Sequence, residues 1–308
     1  MQTMSGKPDF LFIGTAKAGT TSIGEYLLQH PKVRIPMKET FFFMRDVYER
    51  NHLDYPAQRD PREYVLETES YEALYPDARD IIYGEVGTGY LYHHSVAIPR
   101  IMETFGPDIP ILVILRNPVD RCYSSYRHFT KDMHETLDFR SALEKEDERI
   151  SSGWDFMWHH RAMGYYAEQI EPFLKTFNRV KILLYDDLKE DPEGLMREVF
   201  EFIGVPSLDE LDLSKRHNPS GAPKSERLQR MITQEGTFKR LWRPLFRAVF
   251  GPETRSRIRK GVKNRNLSRG DSIPMDVEKE LSLHYRDSIL RLEKLIDRDL
   301  SAWRSVTE

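Results

Sequence analysis

A turn near the start of the chain has the composition of an anion-binding loop. The apolar run Phe10–Ile13 ends at Gly14, and Gly19 is followed by the hydroxyl residues Thr20–Ser22. Backbone N–H groups at the start of a helix bind anions such as phosphate. The pattern nearly matches the ATP-binding loop G-x-x-x-x-G-K-[ST], but a threonine replaces its lysine, and the lysine of this loop, Lys17, comes earlier.

The early position of Lys17 favours a donor other than ATP. In the ATP-binding loop the lysine starts the helix and reaches the β- and γ-phosphates, and a Ser or Thr holds Mg²⁺. Lys17 is therefore expected to reach less far along the donor and to lie beside a shorter 5′ group. An ordinary strand-to-helix turn is the alternative, and the strand, hydroxyl cluster and lysine together favour anion binding.

A second candidate anion site follows another apolar run. Arg116 comes directly after Ile111–Leu115, Asn117-Pro118 opens a helix, and Ser124 lies further along that helix. A guanidinium group offers a planar fork for a phosphate, although an arginine that caps a helix C-terminus is the alternative. Two anion sites without an evident metal carboxylate indicate a nucleotide that is phosphorylated at two positions and used without Mg²⁺.

Four short apolar runs define the framework that must position these residues. Near-continuous apolar strands that alternate with helical segments predict an α/β fold, a single domain with a central parallel sheet flanked by helices and a P-loop-like nucleotide-binding core. The runs are Phe10–Ile13, Ile81–Tyr83, Ile111–Leu115 and Val180–Tyr185. Ligands of such sheets bind beyond the carboxyl ends of the strands. The residues expected there are Gly14–Ser22, Glu85–Tyr90, Arg116–Ser124 and Asp186–Leu188.

Helical spacing and a charge cluster describe the rest of the chain. The predicted helices are Thr20–Gln29, Pro118–His128, Gly164–Phe177, Pro192–Ile203 and a C-terminal docking helix at 275–300. The segment 215–269 is strongly basic. It is interpreted as a helical lid that closes over a nucleotide, with attraction of an anionic acceptor or contact with anionic lipid as alternatives.

Composition narrows the class of protein. The chain has 308 residues, 39% hydrophobic and 31% charged, and a net charge of −3, which is typical of a soluble globular protein. Its one cysteine, Cys122, excludes an internal disulfide, and no apolar stretch approaches the roughly 20 residues that span a bilayer. We therefore expect a cytoplasmic protein without a transmembrane segment. Nucleic acid is not an expected partner because the whole chain is not basic and no recognition motif is present.

Four segments resemble motifs of the sulfotransferases that use 3′-phosphoadenosine-5′-phosphosulfate (PAPS), in particular a bacterial branch similar to the heparan sulfate glucosaminyl sulfotransferases. The segment FIGTAKAGTTSI resembles their 5′-phosphosulfate loop, and ILRNPVDRCYSSY resembles their 3′-phosphate motif. LLYDDL resembles a segment that places a tyrosine near the adenine, and NPSGAPKSERLQ resembles a loop that closes over the nucleotide. The resemblance implies that the donor is bound by Lys17, Ala18, Gly19, Thr20, Thr21, Ser22, Arg116, Ser124, Tyr185 and Lys224.

The resemblance also implies a reaction. It predicts an in-line transfer of the sulfuryl group from PAPS to an acceptor hydroxyl without a metal, with adenosine 3′,5′-bisphosphate as product. Lys17 is then the catalytic cation at the bridging oxygen, where charge grows in the transition state. A Mg²⁺-dependent kinase or NTPase that uses Asp186 or Asp187 as a metal ligand is one alternative. A nucleotide-binding protein without catalysis is another.

The candidate base lies in the segment IPMKETFFF. The resemblance places a catalytic glutamate at Glu39, whereas a salt bridge of Glu39 with Lys38 or Arg45 is the structural alternative. His93 and His94 are the competing bases, and they are otherwise interpreted as acceptor contacts or structural residues.

The acceptor side of the site is defined only by residue types. Glu85 is expected to orient Lys17 or a hydroxyl of the substrate. Val86 stands where heparan-type relatives carry a lysine, which weakens the case for a polyanionic sugar and leaves carbohydrate, glycolipid and small-molecule acceptors open. The expected acceptor contacts are Phe41, Glu85, Tyr90 and His93. The aromatic residues considered for the pocket wall are Phe41, Phe42, Phe43, Tyr90, Tyr92, Trp154 and Trp158.

Overall fold

The structure is a computed structural model that describes residues 6–50, 65–77, 80–131, 134–213, 222–223, 267–268 and 272–305. Lys224 and nearly all of the basic segment 215–269 lie outside the described residues. The exception is a short antiparallel pair between Ala222–Pro223 and Leu267–Ser268. The lid interpretation of the basic segment therefore stays a prediction.

A five-stranded parallel sheet forms the centre of the fold and confirms the predicted fold class. Its strands have the order β2-β3-β1-β4-β5. Their bounds are Phe10–Phe12 for β1, Val33–Arg34 for β2, Ile82–Val86 for β3, Ile111–Leu115 for β4 and Val180–Leu184 for β5. The carboxyl ends of all five strands therefore meet at one edge, where ligands of such sheets bind.

The two faces of the central strands bury separate hydrophobic clusters. Leu11 and Val113 face one cluster, which includes residues of the C-terminal helix, whereas Phe12 and Ile114 face the other. Successive side chains of a strand point to opposite faces, so a strand covered on both faces is apolar throughout. This explains why β1 and β4 appear in the sequence as continuous apolar runs.

Helices cover both faces of the sheet. Those within the described residues are, in chain order, α1 Thr20–Leu27, α2 Arg45–Arg50, α3 Thr68–Glu72, α4 His94–Phe105, α5 Pro118–Lys131, α6 Phe139–Glu144, α7 Glu146–Ser151, α8 Tyr166–Thr176, α9 Tyr185–Glu190, α10 Pro192–Ile203 and the C-terminal helix Met275–Ile296. The C-terminal helix packs on α8, where the hydroxyl of Ser288 donates to Glu168 across 2.8 Å. Within the described ranges, no helix combines the length and apolar character needed to cross a membrane.

The observed bounds of β3 correct one prediction. The sequence placed Glu85 just after a strand that ends at Tyr83, whereas β3 continues to Val86 and includes Glu85. Leu11 of β1 lies beside Glu85 in the register of the sheet. A carboxylate inside a strand is not predicted from composition, because the hydroxyl groups that satisfy it come from distant segments.

Candidate active site at the carboxyl ends of the strands

The loop between β1 and α1 is fastened to the neighbouring strand β4. The N–H of Thr15 donates to the carbonyl oxygen of Ile114 across 2.9 Å, and the N–H of Ile114 donates to the carbonyl oxygen of Gly14 across 2.8 Å. Further along, Lys17 has a left-handed backbone with a φ of 71°. These contacts fix the first part of the loop against β4.

Gly19 ends the loop and precedes α1. Its φ is 100°, and a Cβ atom at this position would lie 2.9 Å from Leu188 and 3.1 Å from the ring of Tyr185. Both the backbone conformation and the close packing therefore require glycine. No side chain among the described residues caps α1. The first N–H groups of α1, beside the hydroxyls of the helix start, are thus available to an anion.

Arg116 lies against this loop from the end of β4. Its Nη1 donates to the carbonyl oxygen of Lys17 across 3.3 Å, and its guanidinium group lies 4.9 Å from the ring centre of Tyr185. The hydroxyl of Tyr166 donates to the carbonyl oxygen of Arg116 across 2.8 Å. These contacts bring Arg116 together with the backbone of Lys17 and the ring of Tyr185. Their role in binding a nucleotide stays a prediction. Ser124 is buried on α5, the helix that starts next to Arg116.

The guanidinium group of Arg116 has a hydrogen-bond donor, Nε, that is not used within the described residues. This atom is buried. The carboxylate of Asp120 is near, with 3.7 Å between Oδ2 and Nη2, a distance at which the guanidinium keeps donors for another anion. The donor set at this edge therefore fits a phosphate group.

Glu39 is held at the end of β3. Its N–H donates to the carbonyl oxygen of Val86 across 2.7 Å, and Lys38 forms a parallel β-bridge with Val86. The hydroxyl of Thr88 donates to Oε1 of Glu39 across 2.9 Å. Glu39 has a left-handed φ of 61°, so these contacts fix a backbone conformation that glutamate seldom adopts.

Lys38 links the segment of Glu39 to the loop. Its Nζ donates to Oγ1 of Thr21 in the first turn of α1 across 2.7 Å. The sequence suggests Lys38 only as a salt-bridge partner of Glu39, and it does not single out Thr88 within the range Glu85–Tyr90. Both contacts join segments far apart in the chain, and a lysine next to the candidate base was the one available signal.

Glu85 is enclosed by hydroxyl groups. It is fully buried, and its carboxylate accepts hydrogen bonds from Thr40, Tyr71 and Tyr90. Burial raises the pKa of Glu85 more than these three donors lower it. Thr40 follows Glu39 directly, so Glu85 fastens the segment that carries the candidate base. A contact of Glu85 with Lys17 or with an acceptor hydroxyl stays a prediction.

The aromatic residues expected at the acceptor belong largely to the core. Phe41 and Tyr90 are each 1% exposed, and Phe42 stacks on Tyr71 with 3.9 Å between the ring centres. Phe43 and Trp158 are also buried. Such burial does not fit a pocket wall, because large aromatic side chains are most often recruited to a core. Tyr92 and Trp154 are half-buried and remain candidates for the wall.

Two histidines near this edge, His93 and His159, have lowered pKa values. His93 packs against Tyr92 and Phe156, and burial, with a smaller effect of His159 and His94, lowers its pKa to about 3. Burial likewise lowers the pKa of His159 to about 4. A group with so low a pKa is a weak base, which weakens the case for His93 as the proton acceptor.

The two aspartates considered as metal ligands have other partners. Asp187 pairs with Arg298 at 2.8 Å, and Asp186 pairs with Lys189 at 2.7 Å and accepts a hydrogen bond from Nε1 of Trp303 at 2.9 Å. These contacts tie α9 to the C-terminal part of the chain. They give both carboxylates a structural role.

The fold and this edge together define an α/β protein with a parallel sheet and a glycine-bounded loop of the kind that suits an anion. Residues 7–247 match the family model described as sulfotransferase domain, and the chain therefore belongs to the sulfotransferase family. Members of this family are enzymes that transfer sulfate. The assignment confirms the sequence-based interpretation and favours it over a kinase or NTPase.

Two animal relatives are similar to the chain. Bifunctional heparan sulfate N-deacetylase/N-sulfotransferase 3 of Mus musculus is 28% identical over 312 residues, which cover 96% of this chain and 31% of that protein. Heparan sulfate glucosamine 3-O-sulfotransferase 3A1 of Mus musculus is 26% identical over 200 residues, which cover 64% of this chain and 46% of that protein. The chain thus spans less than half of the length of either relative.

A solved sulfotransferase structure can be compared over nearly its whole length. The sulfotransferase from Alicyclobacillus acidocaldarius is 30% identical, with a TM-score of 0.67 over 97% of this chain and 99% of that chain. The five-stranded parallel sheet therefore belongs to a sulfotransferase fold.

Proposed function

We propose that the chain is a sulfotransferase that takes PAPS as donor and a hydroxyl compound as acceptor, and that releases adenosine 3′,5′-bisphosphate. One observation carries the proposal. The guanidinium of Arg116 lies 3.3 Å from the carbonyl oxygen of Lys17, in the loop that leads into α1, and no described side chain caps that helix. Two elements that suit two separate phosphate groups thus lie at one edge of the sheet.

The residues of the loop and of β4 would hold the donor. When bound, PAPS supplies an activated sulfuryl group on a 5′-phosphate. The N–H groups of Ala18 and Gly19 and the hydroxyls of Thr20–Ser22 bind its 5′ end. Arg116 and Ser124 bind the 3′-phosphate, and the half-buried ring of Tyr185, over which Arg116 lies, is the surface for the adenine.

Lys17 supplies the catalytic charge. With the donor bound, its ammonium group would stabilise the negative charge that the leaving 5′-phosphate gains when the sulfuryl group passes to the acceptor hydroxyl. Such an interaction is stronger in the transition state than in the ground state, and it therefore lowers the barrier.

Glu39 accepts the proton of the acceptor hydroxyl. Thr88 orients its carboxylate through the 2.9 Å hydrogen bond to Oε1. A base positioned in this way contributes about 10²–10⁴-fold to a rate. The neighbouring network of Glu85, Thr40, Tyr71 and Tyr90 is the support that holds Glu39 in place.

The acceptor is taken to be a carbohydrate, a glycolipid or a small molecule. The relatives' names include both N- and O-sulfotransferases, so a screen must contain amines as well as hydroxyl compounds. A cytoplasmic location and peripheral contact with a membrane stay predictions.

Thermal unfolding with nucleotides tests the donor. Adenosine 3′,5′-bisphosphate is expected to raise the melting temperature in the presence of EDTA, and ATP with Mg²⁺ is expected to have little effect. Stabilisation by ATP with Mg²⁺ but not by the bisphosphate would contradict the proposal. An acceptor screen with ³⁵S-labelled PAPS then tests transfer, and Lys17→Met is the matched inactive control. Donor binding without transfer to any acceptor would favour a nucleotide-binding protein without catalysis.

A further inference from the structure

A second lysine, Lys38, contacts the start of α1 next to the anion loop, and it comes from the segment that follows β2. The loop lysine, Lys17, follows β1, whereas Lys38 lies after β2. The parallel bridge to Val86 and the 2.7 Å hydrogen bond from the N–H of Glu39 to the same residue fix its backbone at the carboxyl end of β3. Since β3 is the neighbour of β1, this position lies next to the strand that leads into the loop.

The ammonium group of Lys38 has a neutral partner. It donates to Oγ1 of Thr21 across 2.7 Å, and within the described part of the chain no carboxylate forms an ion pair with it. A lysine ammonium has three donors and no acceptor, so two donors remain after the contact with Thr21. A positive charge without a carboxylate partner among the described residues, placed at the start of a helix that no described side chain caps, is suited to an anion.

The contact also determines what Thr21 can do. A threonine hydroxyl both donates and accepts. Because the oxygen of Thr21 accepts from Lys38, its own proton is directed elsewhere and can be donated to a ligand in the loop. Lys38 therefore orients Thr21 as a donor and adds a positive charge on the same side.

We propose that Lys38 binds the 5′ end of the donor together with Thr21, as a second cation in addition to Lys17. This inference rests on the proposed function. It assigns Lys38, which adjoins the candidate base Glu39, to donor recognition. The same short segment thus serves both sides of the reaction.

The test compares two ligands that differ only in the 5′-phosphate. Adenosine 3′,5′-bisphosphate and adenosine 3′-monophosphate are titrated by calorimetry into the wild type, Lys38→Met and Lys38→Arg. Lys32→Met is the control, because Lys32 is an exposed lysine just before β2. We expect Lys38→Met to lower the affinity for the bisphosphate about tenfold, which corresponds to the loss of one charge-assisted hydrogen bond. The affinity of Lys38→Met for the monophosphate should stay within about threefold of the wild-type value. The affinities of Lys38→Arg and Lys32→Met for the bisphosphate should also stay within about threefold of the wild-type value.

The outcomes separate this inference from the proposed function. Unchanged binding of the bisphosphate to Lys38→Met overturns the inference. An equal loss of affinity for both ligands also overturns it, because neither result would show a contact between Lys38 and the 5′-phosphate. A variant that binds the donor normally but needs a higher concentration of acceptor also overturns it. Failure of the wild type to bind the bisphosphate contradicts the proposed function itself.

Discussion

The hydroxyl of Thr88 donates a hydrogen bond to Oε1 of Glu39 across 2.9 Å, and this contact joins the end of β3 to the segment after β2. Glu39 has a left-handed φ of 61°, and Phe41, two residues further on, has a φ of 63°. Between them, the hydroxyl of Thr40 donates a hydrogen bond to the buried carboxylate of Glu85. A backbone in so uncommon a conformation persists when its surroundings fix it, and it often marks a functional segment.

Replacement of Glu39 by Gln tests its role as base. Glutamine keeps the size of the side chain and an oxygen for the hydroxyl of Thr88, but it cannot take a proton from the acceptor. We expect kcat to fall about 10²–10⁴-fold while the affinity for adenosine 3′,5′-bisphosphate stays unchanged. Steady-state transfer assays and calorimetry measure the two effects. Glu25→Gln, on the exposed side of α1, is the control for loss of one negative charge, and undiminished transfer by Glu39→Gln would exclude Glu39 as base.

Replacement of Arg116 by Met tests the assignment of the 3′-phosphate site. A hydrogen bond to a charged group contributes about 1.5–3 kcal/mol, so the affinity for adenosine 3′,5′-bisphosphate is expected to fall about 10–100-fold. Binding of adenosine 5′-monophosphate, which lacks the 3′-phosphate, should change much less. The melting temperature of the free variant monitors the loss of the contact with Lys17. Equal losses for the two nucleotides would mean that Arg116 acts only by shaping the loop.

The sequence predicts the loop and Arg116 because local patterns determine them. Buried parallel strands are continuous apolar runs, and the residues that follow them meet at one edge, so the types of those residues carry information. The contacts around Glu39 and Glu85 are different. They join residues far apart in the chain, as between Lys38 and Thr21, and no spacing or periodicity records them. Aromatic residues such as Phe41 show the same limit, since composition does not separate a core residue from a pocket residue.

The buried carboxyl of Glu85 predicts a dependence of stability on pH. Burial raises its pKa in the folded protein above 4.5, the ordinary value. The folded state therefore holds this proton at a pH where the unfolded state has lost it, and the contribution of Glu85 to stability is lost as pH rises through the folded pKa. Urea unfolding of the wild type and Glu85→Gln across pH 4.5–8 should show that the variant lacks this slope. Exposed Glu69→Gln is the control, and parallel curves for the wild type and Glu85→Gln would contradict the prediction.

The buried imidazole of His159 predicts that the protein loses stability as pH falls, which is the opposite of the effect of Glu85. It is 5% exposed, and burial lowers its pKa in the folded protein to about 4. The unfolded state takes up this proton as pH falls below about 6.5, whereas the folded state does so only near the lowered pKa. The stabilising effect is present above the unfolded pKa and is lost as pH falls to about 4, and it amounts to at most about 3 kcal/mol.

His159→Gln isolates this effect, because glutamine cannot take up the proton. We expect the free energy of unfolding of the variant, measured with urea between pH 7.5 and 4.5, to fall less steeply than that of the wild type. His284→Gln, at an exposed position of the C-terminal helix, should reproduce the wild-type slope. An acid slope that is the same in His159→Gln and in the wild type would show that His159 is protonated in the folded protein as readily as in the unfolded chain.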